Sequence, residues 1–278
     1  MLHVHAVVVK AFRFNIFIDF SGKHSVQNAF CFIDPRSQKF KISLFIIFLI
    51  GSGNLFAQSN ITYQSLYWIR YYNQSQLSSK ITFHLELDER RLINPDRQAQ
   101  FFIHTHLHKK ISPALDVAVG FSHVRSNSPK NTDLVMPEWR FFQEISYTLS
   151  KATKTHWQIR YRLDERFIHN RDKDQLVDGF MFVLRHRFRA QFTWPIKIVE
   201  GGQTVSLKIS DEIMFNSTSN ANPFDQNRIY IGLEWPLSNK WSAELGYLKL
   251  HAATLTAESV LDIIRLSIYH RLSFVSKE

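Results

Sequence analysis

Residues 182–194 read F-V-L-R-H-R-F-R-A-Q-F-T-W. Arg185, Arg187, Arg189, Gln191 and Thr193 share one parity, while Phe182, Leu184, His186, Phe188, Ala190, Phe192 and Trp194 share the other. Successive side chains of a strand leave on opposite faces, so this stretch carries one cationic face and one bulky apolar face. No helical period sorts those arginines from those phenylalanines. About a dozen residues of such alternation, ended by a tryptophan, suit one crossing of a membrane β-barrel with its aromatic girdle.

The same two-faced pattern recurs at 63–72, 80–91, 101–109, 115–123, 139–149, 156–167, 205–215, 228–235, 241–250 and 264–274. Polar, turn-rich stretches at 127–137, 170–179 and 216–226 read as loops, and Gly201-Gly202 as a tight turn. The expectation is an all-β protein, a transmembrane antiparallel up-and-down β-barrel of 10–12 strands. Eleven segments are visible, whereas single-chain bacterial barrels have even numbers. Either the first segment is not a full strand or two have merged.

Ahead of these segments the chain changes character. Residues 1–40 show no sustained period and read as an upstream extension from a misassigned start. Residues 41–57, introduced by the basic Lys39-Phe40-Lys41 and carrying the apolar run 42–50, read as a signal peptide cleaved after Ala57. That apolar run is far shorter than the twenty or so residues of a spanning helix. Residues 58–278 are then the barrel. Cys31, the only cysteine in the chain, precedes the cleavage point and leaves the exported part without a thiol.

The 278 residues carry a formal charge of +10 and 14% aromatic side chains. Basic residues are spread through every segment rather than gathered in a patch, which argues against nucleic-acid binding. What remains is the orientation of the two faces. A soluble barrel turns its apolar face inward, and a membrane barrel turns it outward. The polar faces set Glu86, Asp88, Asp164, Glu144, Glu212, Glu234 and Glu244 against Arg90, Arg160, Arg162, Arg166, Arg185, Arg187, Arg189, Arg228, Arg265 and Arg271. Arginine, rather than the lysine of a solvated surface, suits paired and packed sites. Trp157, Trp194, Trp235 and Trp241 sit at the ends of apolar faces, and the leader exports the chain. Three arginines turned toward lipid in one strand would cost roughly 6–12 kcal/mol, so they are expected to line the lumen.

The motifs W-R-F-F-Q-E (139–144), R-Y-R-L-D-E-R-F (160–167), S-D-E-I-M-F-N (210–216) and F-D-Q-N-R-I-Y-I-G-L (224–233), with L-D-E-R-R (87–91), form a recognisable set. They resemble the uncharacterised outer-membrane family catalogued as domain of unknown function 2490, over about residues 61–274. The resemblance implies a β-barrel in the outer membrane of a Gram-negative cell and no assigned activity.

Three constellations invite chemistry. His104, His106 and His108 share one strand face, but alternate strand residues lie about 6.5–7 Å apart. Chelation would need help from another strand, so lumen-facing polar filler is the preferred reading and no metal is expected. Asp88 and Asp164, in the repeated L-D-E-R, could form an acid–base pair. The surrounding arginines would keep both ionised, so a ladder of salt bridges is preferred. His123, His186 and His270 fall on the apolar parity, where a lipid hydrolase would carry its base, but no serine and carboxylate stand in phase beside them.

The function expected is therefore a non-enzymatic outer-membrane barrel without cofactor, its lumen lined by Arg and Glu, in a structural or narrow channel role. Its partners are outer-membrane lipid and the barrel-assembly machinery. An outer-membrane lipid hydrolase or deacylase and a soluble periplasmic ligand-binding barrel are the competing classes.

Overall fold

The computed structural model describes residues 61–128, 134–150, 155–173, 175–198 and 203–275. The stretches expected to be an upstream extension and a leader cleaved after Ala57, together with Cys31 and the turn expected at Gly201-Gly202, lie outside them. The described residues form eleven strands: β1 (Ile61–Gln76), β2 (Ile81–Leu92), β3 (Arg97–Lys110), β4 (Leu115–Asn127), β5 (Val135–Ser150), β6 (His156–Asp172), β7 (Gln175–Ile198), β8 (Thr204–Asn216), β9 (Phe224–Pro236), β10 (Trp241–Ala253) and β11 (Glu258–Ser273). They make one closed barrel in which each strand pairs with its neighbours in sequence and β1 closes onto β11. Closure pairs every strand on both sides, so the ladder N–H and C=O groups find partners within the sheet except where the β6–β7 hairpin runs past β5 and β8.

Ten of the neighbouring pairs are antiparallel. The eleventh, between β1 and β11, is parallel, with Ile61 opposite Glu258 and Gln76 opposite Ser273. An odd number of strands in a meander requires this, because alternate strands reverse and the first and eleventh therefore run the same way. No segment was merged or partial. Strand β1 is a full member, and the two ends of the strand run lie at opposite mouths of the barrel.

Several strands run past their expected limits. The stretch 170–179 is mostly a continuation of the β6–β7 hairpin, with His169 opposite Phe180 and Asp172 opposite Gln175. Lys173, at φ 51°, and Gly179, at φ 95°, take the left-handed backbone that lets this hairpin turn and shift register. Strand β5 begins at Val135, so Pro137 lies in the strand opposite Arg125 rather than in a loop.

The parity of the faces decides what the barrel encloses. On the outside lie Val119 (60% exposed), Ile159 (50%), Leu245 (50%) and Ile231 (47%). On the inside Arg185 is 4% exposed, Asp164 1% and Glu244 0%. The charged face is enclosed and the apolar face is presented outward, the reverse of a soluble barrel. An apolar cluster of Leu66, Trp68, Tyr230, Leu248, Leu250 and Ile263 also points inward. It packs near the mouth at which β1 starts.

The parallel seam is directly testable. Ile69 and Leu266 are opposite one another across it, and partners on adjacent strands fall in the Cα separation that a disulfide spans, about 4.4–6.8 Å. The double variant Ile69→Cys/Leu266→Cys is expected to form an intrachain cross-link on oxidation of the folded protein. Ile69→Cys paired with Ile231→Cys, which lies two strands away from β11, is expected to form none.

Candidate functional site: the charged lumen

The inward faces converge on a cavity of about 500 Å³. Fifteen of the seventeen charged residues picked out by parity line it: Glu86, Asp88, Arg90, Glu144, Arg160, Arg162, Arg166, Arg185, Arg187, Arg189, Glu212, Arg228, Glu244, Arg265 and Arg271. Asp164 and Glu234 do not reach the cavity wall. They sit behind it on the same face, Asp164 3.5 Å from Arg187 and Glu234 within 2.7 Å of both Lys208 and Arg271.

Adjacent and next-but-one strands supply the partners. Glu212 on β8 meets Arg160 from β6, Arg187 from β7 at 3.0 Å and Arg228 from β9 at 3.7 Å. Glu144 on β5 binds Arg162 at 2.6 Å and approaches Arg160 at 3.5 Å. Glu244 on β10 accepts from Lys208, Arg265 and the Tyr230 hydroxyl, each at 2.7 Å, and from the Tyr269 hydroxyl at 3.1 Å. A carboxylate removed from water is expensive unless its lone pairs are met by donors, and here each central carboxylate meets two or more. Asp88, by contrast, is bound by Arg90 two residues along its own strand at 2.8 Å. Asp88 and Asp164 are thus taken up by separate arginines, with no contact between the two carboxylates among those described.

Aromatic rings stiffen the same network. The Arg90 guanidinium is clasped between Trp68 and Phe102, 3.8 and 3.9 Å from their ring centres. Arg265 lies 3.8 Å over Tyr230. Tyr230 itself lies across Gly232 and Gly246, where an added Cβ would come within 2.1 and 2.2 Å of its hydroxyl oxygen. Glycine at both positions makes room for the ring to reach Glu244.

Some members of the site were not picked out as network residues in the sequence. Glu138 accepts from Arg140 and from Arg166, both Nε atoms at 2.5 Å. It lies one residue beyond Pro137, between the loop expected over 127–137 and the strand expected from 139. Arg70 reaches Glu86 at 3.4 Å, and Asp225 reaches Arg185 at 3.1 Å. Glu138 and Asp225 belong to strands that start earlier than the alternation alone indicates, whereas Arg70 lies within the expected first strand on the parity of Trp68 and Tyr72.

The histidines divide. His104 turns to Ser122, with Nδ1 2.5 Å from Oγ, and stacks on Phe102. His106 and His108 instead join His84 of β2, which lies directly opposite His106. On the outer face, His123 packs at a tilt against Trp139 and His270 stacks on Trp241. His186 is held by the Tyr161 hydroxyl at Nδ1 (2.9 Å) and by Ser217 Oγ at Nε2 (3.1 Å). The β8–β9 connection brings in that serine, which the strand parity of β7 does not foreshadow. The group that orients His186 is a tyrosine, not a carboxylate.

Comparison with known proteins places the chain. The profile of a family described as protein of unknown function (DUF2490) matches residues 66–259. The chain belongs to this family. DUF2490 supplies no activity, but its match begins within β1 and ends within β11. An uncharacterized protein of Methylorubrum extorquens is 28% identical over 165 residues, covering 58% of this chain and 68% of its own. Among solved structures, the alcaligin outer membrane receptor FauA of Bordetella pertussis aligns at 12% identity and a TM-score of 0.26, covering 67% of this chain. This chain spans 34% of that receptor.

Without Glu212, Arg228 loses its salt bridge while Arg160 and Arg187 keep only 3.5 Å contacts to Glu144 and Asp164, and breaking a buried pair costs about 3–5 kcal/mol. Glu212→Ala is expected to lower the temperature at which the folded barrel loses its compact gel mobility, and to do so more than Glu212→Gln. An exposed acid such as Asp96 replaced by Asn is expected to leave that temperature within a degree or two. Equal transitions for all three would show that the network does not brace the barrel.

Proposed function

We propose that this DUF2490 protein is an outer-membrane β-barrel of a Gram-negative cell whose lumen forms a narrow, anion-preferring passage, with no catalytic role. One observation carries the reading. Thirteen cationic side chains line the main cavity against six carboxylates (Glu86, Asp88, Asp116, Glu144, Glu212 and Glu244). They still outnumber the acids, thirteen to ten, once Glu138, Asp164, Asp225 and Glu234, which pair with them without reaching the wall, are included. Arg189 is part of that excess: among the described residues it has no salt bridge, and it donates to Gln158 at 2.7 Å. An enclosed ring of guanidinium groups favours anions over cations in a pore.

The outer surface supports membrane placement. Trp157 and Phe167 mark the two ends of the outward face of β6, ten residues or roughly 33 Å apart along the strand. With the tilt of membrane barrels this corresponds to about 25 Å of height, the thickness of an outer-membrane apolar band. Trp157, Trp194, Trp235 and Trp241 gather at the mouth whose connections (77–80, 111–114, 151–155, 199–203 and 237–240) are all short. Trp139 lies toward the other mouth, where the two longest connections, 128–134 and 217–223, and the extended β6–β7 hairpin stand beside the short 93–96 and 254–257. By the usual asymmetry of such barrels, the short turns face the periplasm and the long connections face outward. Outer-membrane lipid is then the solvent of the outer face, and the barrel-assembly machinery inserts the chain.

Planar-bilayer recording of the refolded protein tests the channel. The expected result is a small current whose reversal potential under a salt gradient reports anion preference, with Arg189→Glu shifting it toward cations. Absence of current at either polarity removes the passage and leaves the bracing role of the network.

The contact between Ser217 and His186 favours a second reading, a lipid hydrolase acting at the outer rim. Release of fatty acid from mixed phospholipid–detergent micelles, abolished by Ser217→Ala with unchanged gel mobility, would establish it. Equal release by both proteins, or none, removes it.

A further inference from the structure

The charged network leaves one inward cluster unexplained. His84, His106 and His108 each offer one ring nitrogen, and these three atoms lie within 4.8 Å of one another. The register produces the cluster: His84 is directly opposite His106, and His108 lies diagonally beyond it, opposite Thr82. The rings of His84 and His108 stack at 4.0 Å. All three line the main cavity, within about 10 Å of strand from the mouth bounded by turns 77–80 and 111–114.

The outer nitrogen of each ring is already held. His84 Nδ1 meets the Tyr72 hydroxyl at 2.6 Å, His106 Nε2 meets Glu86 at 3.1 Å, and His108 Nδ1 meets Asp116 at 2.5 Å. Carboxylates accept, so in the neutral rings the protons of His106 and His108 sit on the atoms facing Glu86 and Asp116. The remaining nitrogens, His106 Nδ1 and His108 Nε2, then lie 2.8 Å apart, each turning a lone pair toward the other. Two lone pairs at that distance repel unless a proton or a metal ion lies between them, and only a metal ion would also engage the third nitrogen, from His84.

We infer that His84, His106 and His108 form a binding site for a divalent cation of the zinc, copper and nickel class. Imidazole is the ligand these ions share. A tetrahedral ion with bonds of about 2.0–2.1 Å sets its ligand nitrogens roughly 3.3 Å apart, inside the range spanned by this cluster. Histidine ligands of metals characteristically donate their second N–H to a carboxylate, as His106 and His108 do here. Glu86 and Asp116 also place negative charge beside the ion in a lumen that is otherwise cationic. Three protein ligands leave a fourth position open toward the cavity, where water or a small anion completes the shell. The site depends only on the register of β2 and β3 and stands whether or not the lumen conducts.

The test uses the purified, folded full chain in detergent with Zn²⁺ as the probe. Calorimetric titration is expected to show saturable uptake of one Zn²⁺ per chain. His84→Ala, His106→Ala and His108→Ala each weaken it at least tenfold, whereas Glu86→Gln and Asp116→Asn weaken it about 10–100-fold. His104→Ala, on the same strand face but bound to Ser122, leaves it unchanged. Because lumen variants can fail to fold, a second arm uses the unaltered protein: diethyl pyrocarbonate modification mapped by mass spectrometry, with and without Zn²⁺. Protection of His84, His106 and His108, and not of His104, supports the site. No saturable uptake, uptake insensitive to all three substitutions, or equal modification with and without Zn²⁺ overturns it.

Discussion

Enclosure of charge is the constraint on which this barrel depends. Arginines and carboxylates contributed by β1, β2, β5 to β11 and the β8–β9 rim meet across neighbouring strands inside a closed sheet. A charge in such a place is tolerated only when donors and acceptors satisfy it, because the interior returns too little solvation to hold it alone. Pairing therefore acts between strands as well as within them. Glu212 links three strands besides its own, and Glu244 gathers donors from β8, β9 and β11. Rings fill what the charges leave: Trp68 and Phe102 close on Arg90, and Tyr230 lies over two glycines to reach Glu244. The interior is a packed, polar core with a cavity of modest volume, not a wide pore.

The odd strand count follows from the same closure. With eleven strands in a meander, the first and last run in one direction and must pair in parallel. Their sixteen-residue register from Ile61 to Gln76 is continuous, so the seam is a full ladder. It also separates the ends of the strand run, residue 61 at the mouth that carries connections 128–134 and 217–223 and residue 273 at the mouth that carries turns 77–80 and 237–240.

Strand parity was legible because two kinds of side chain alternate with almost no exceptions. The run 182–194 assigns its own faces, and the same rule put all seventeen charged residues on the inward side, including Asp164 and Glu234 behind the cavity wall. Register was not legible. Parity says that His104, His106 and His108 share a face, but only the pairing of β2 with β3 says that His84 joins two of them and that His104 leaves for Ser122. Glu138 was lost to a neighbouring proline, since Pro137 reads as a loop residue and the strand continues through it. The β6–β7 hairpin was lost for a related reason. Outside the alternating band its residues are mixed in polarity, while the backbone ladder continues regardless. Ser217 reaches His186 from a connection, and connections carry no parity at all.

The central claim is that the apolar face meets lipid while the guanidinium groups are enclosed. Spin labels attached singly at Ile231, Phe188 and Arg187 in protein reconstituted into bilayers report it directly through collisions with oxygen, which concentrates in lipid, and with a water-soluble nickel chelate. Labels at Ile231 and Phe188 are predicted to collide strongly with oxygen and weakly with the chelate, and the label at Arg187 to be sheltered from oxygen. A label at Arg187 that behaves as lipid-exposed, with those at Ile231 and Phe188 sheltered from both probes, would contradict the account.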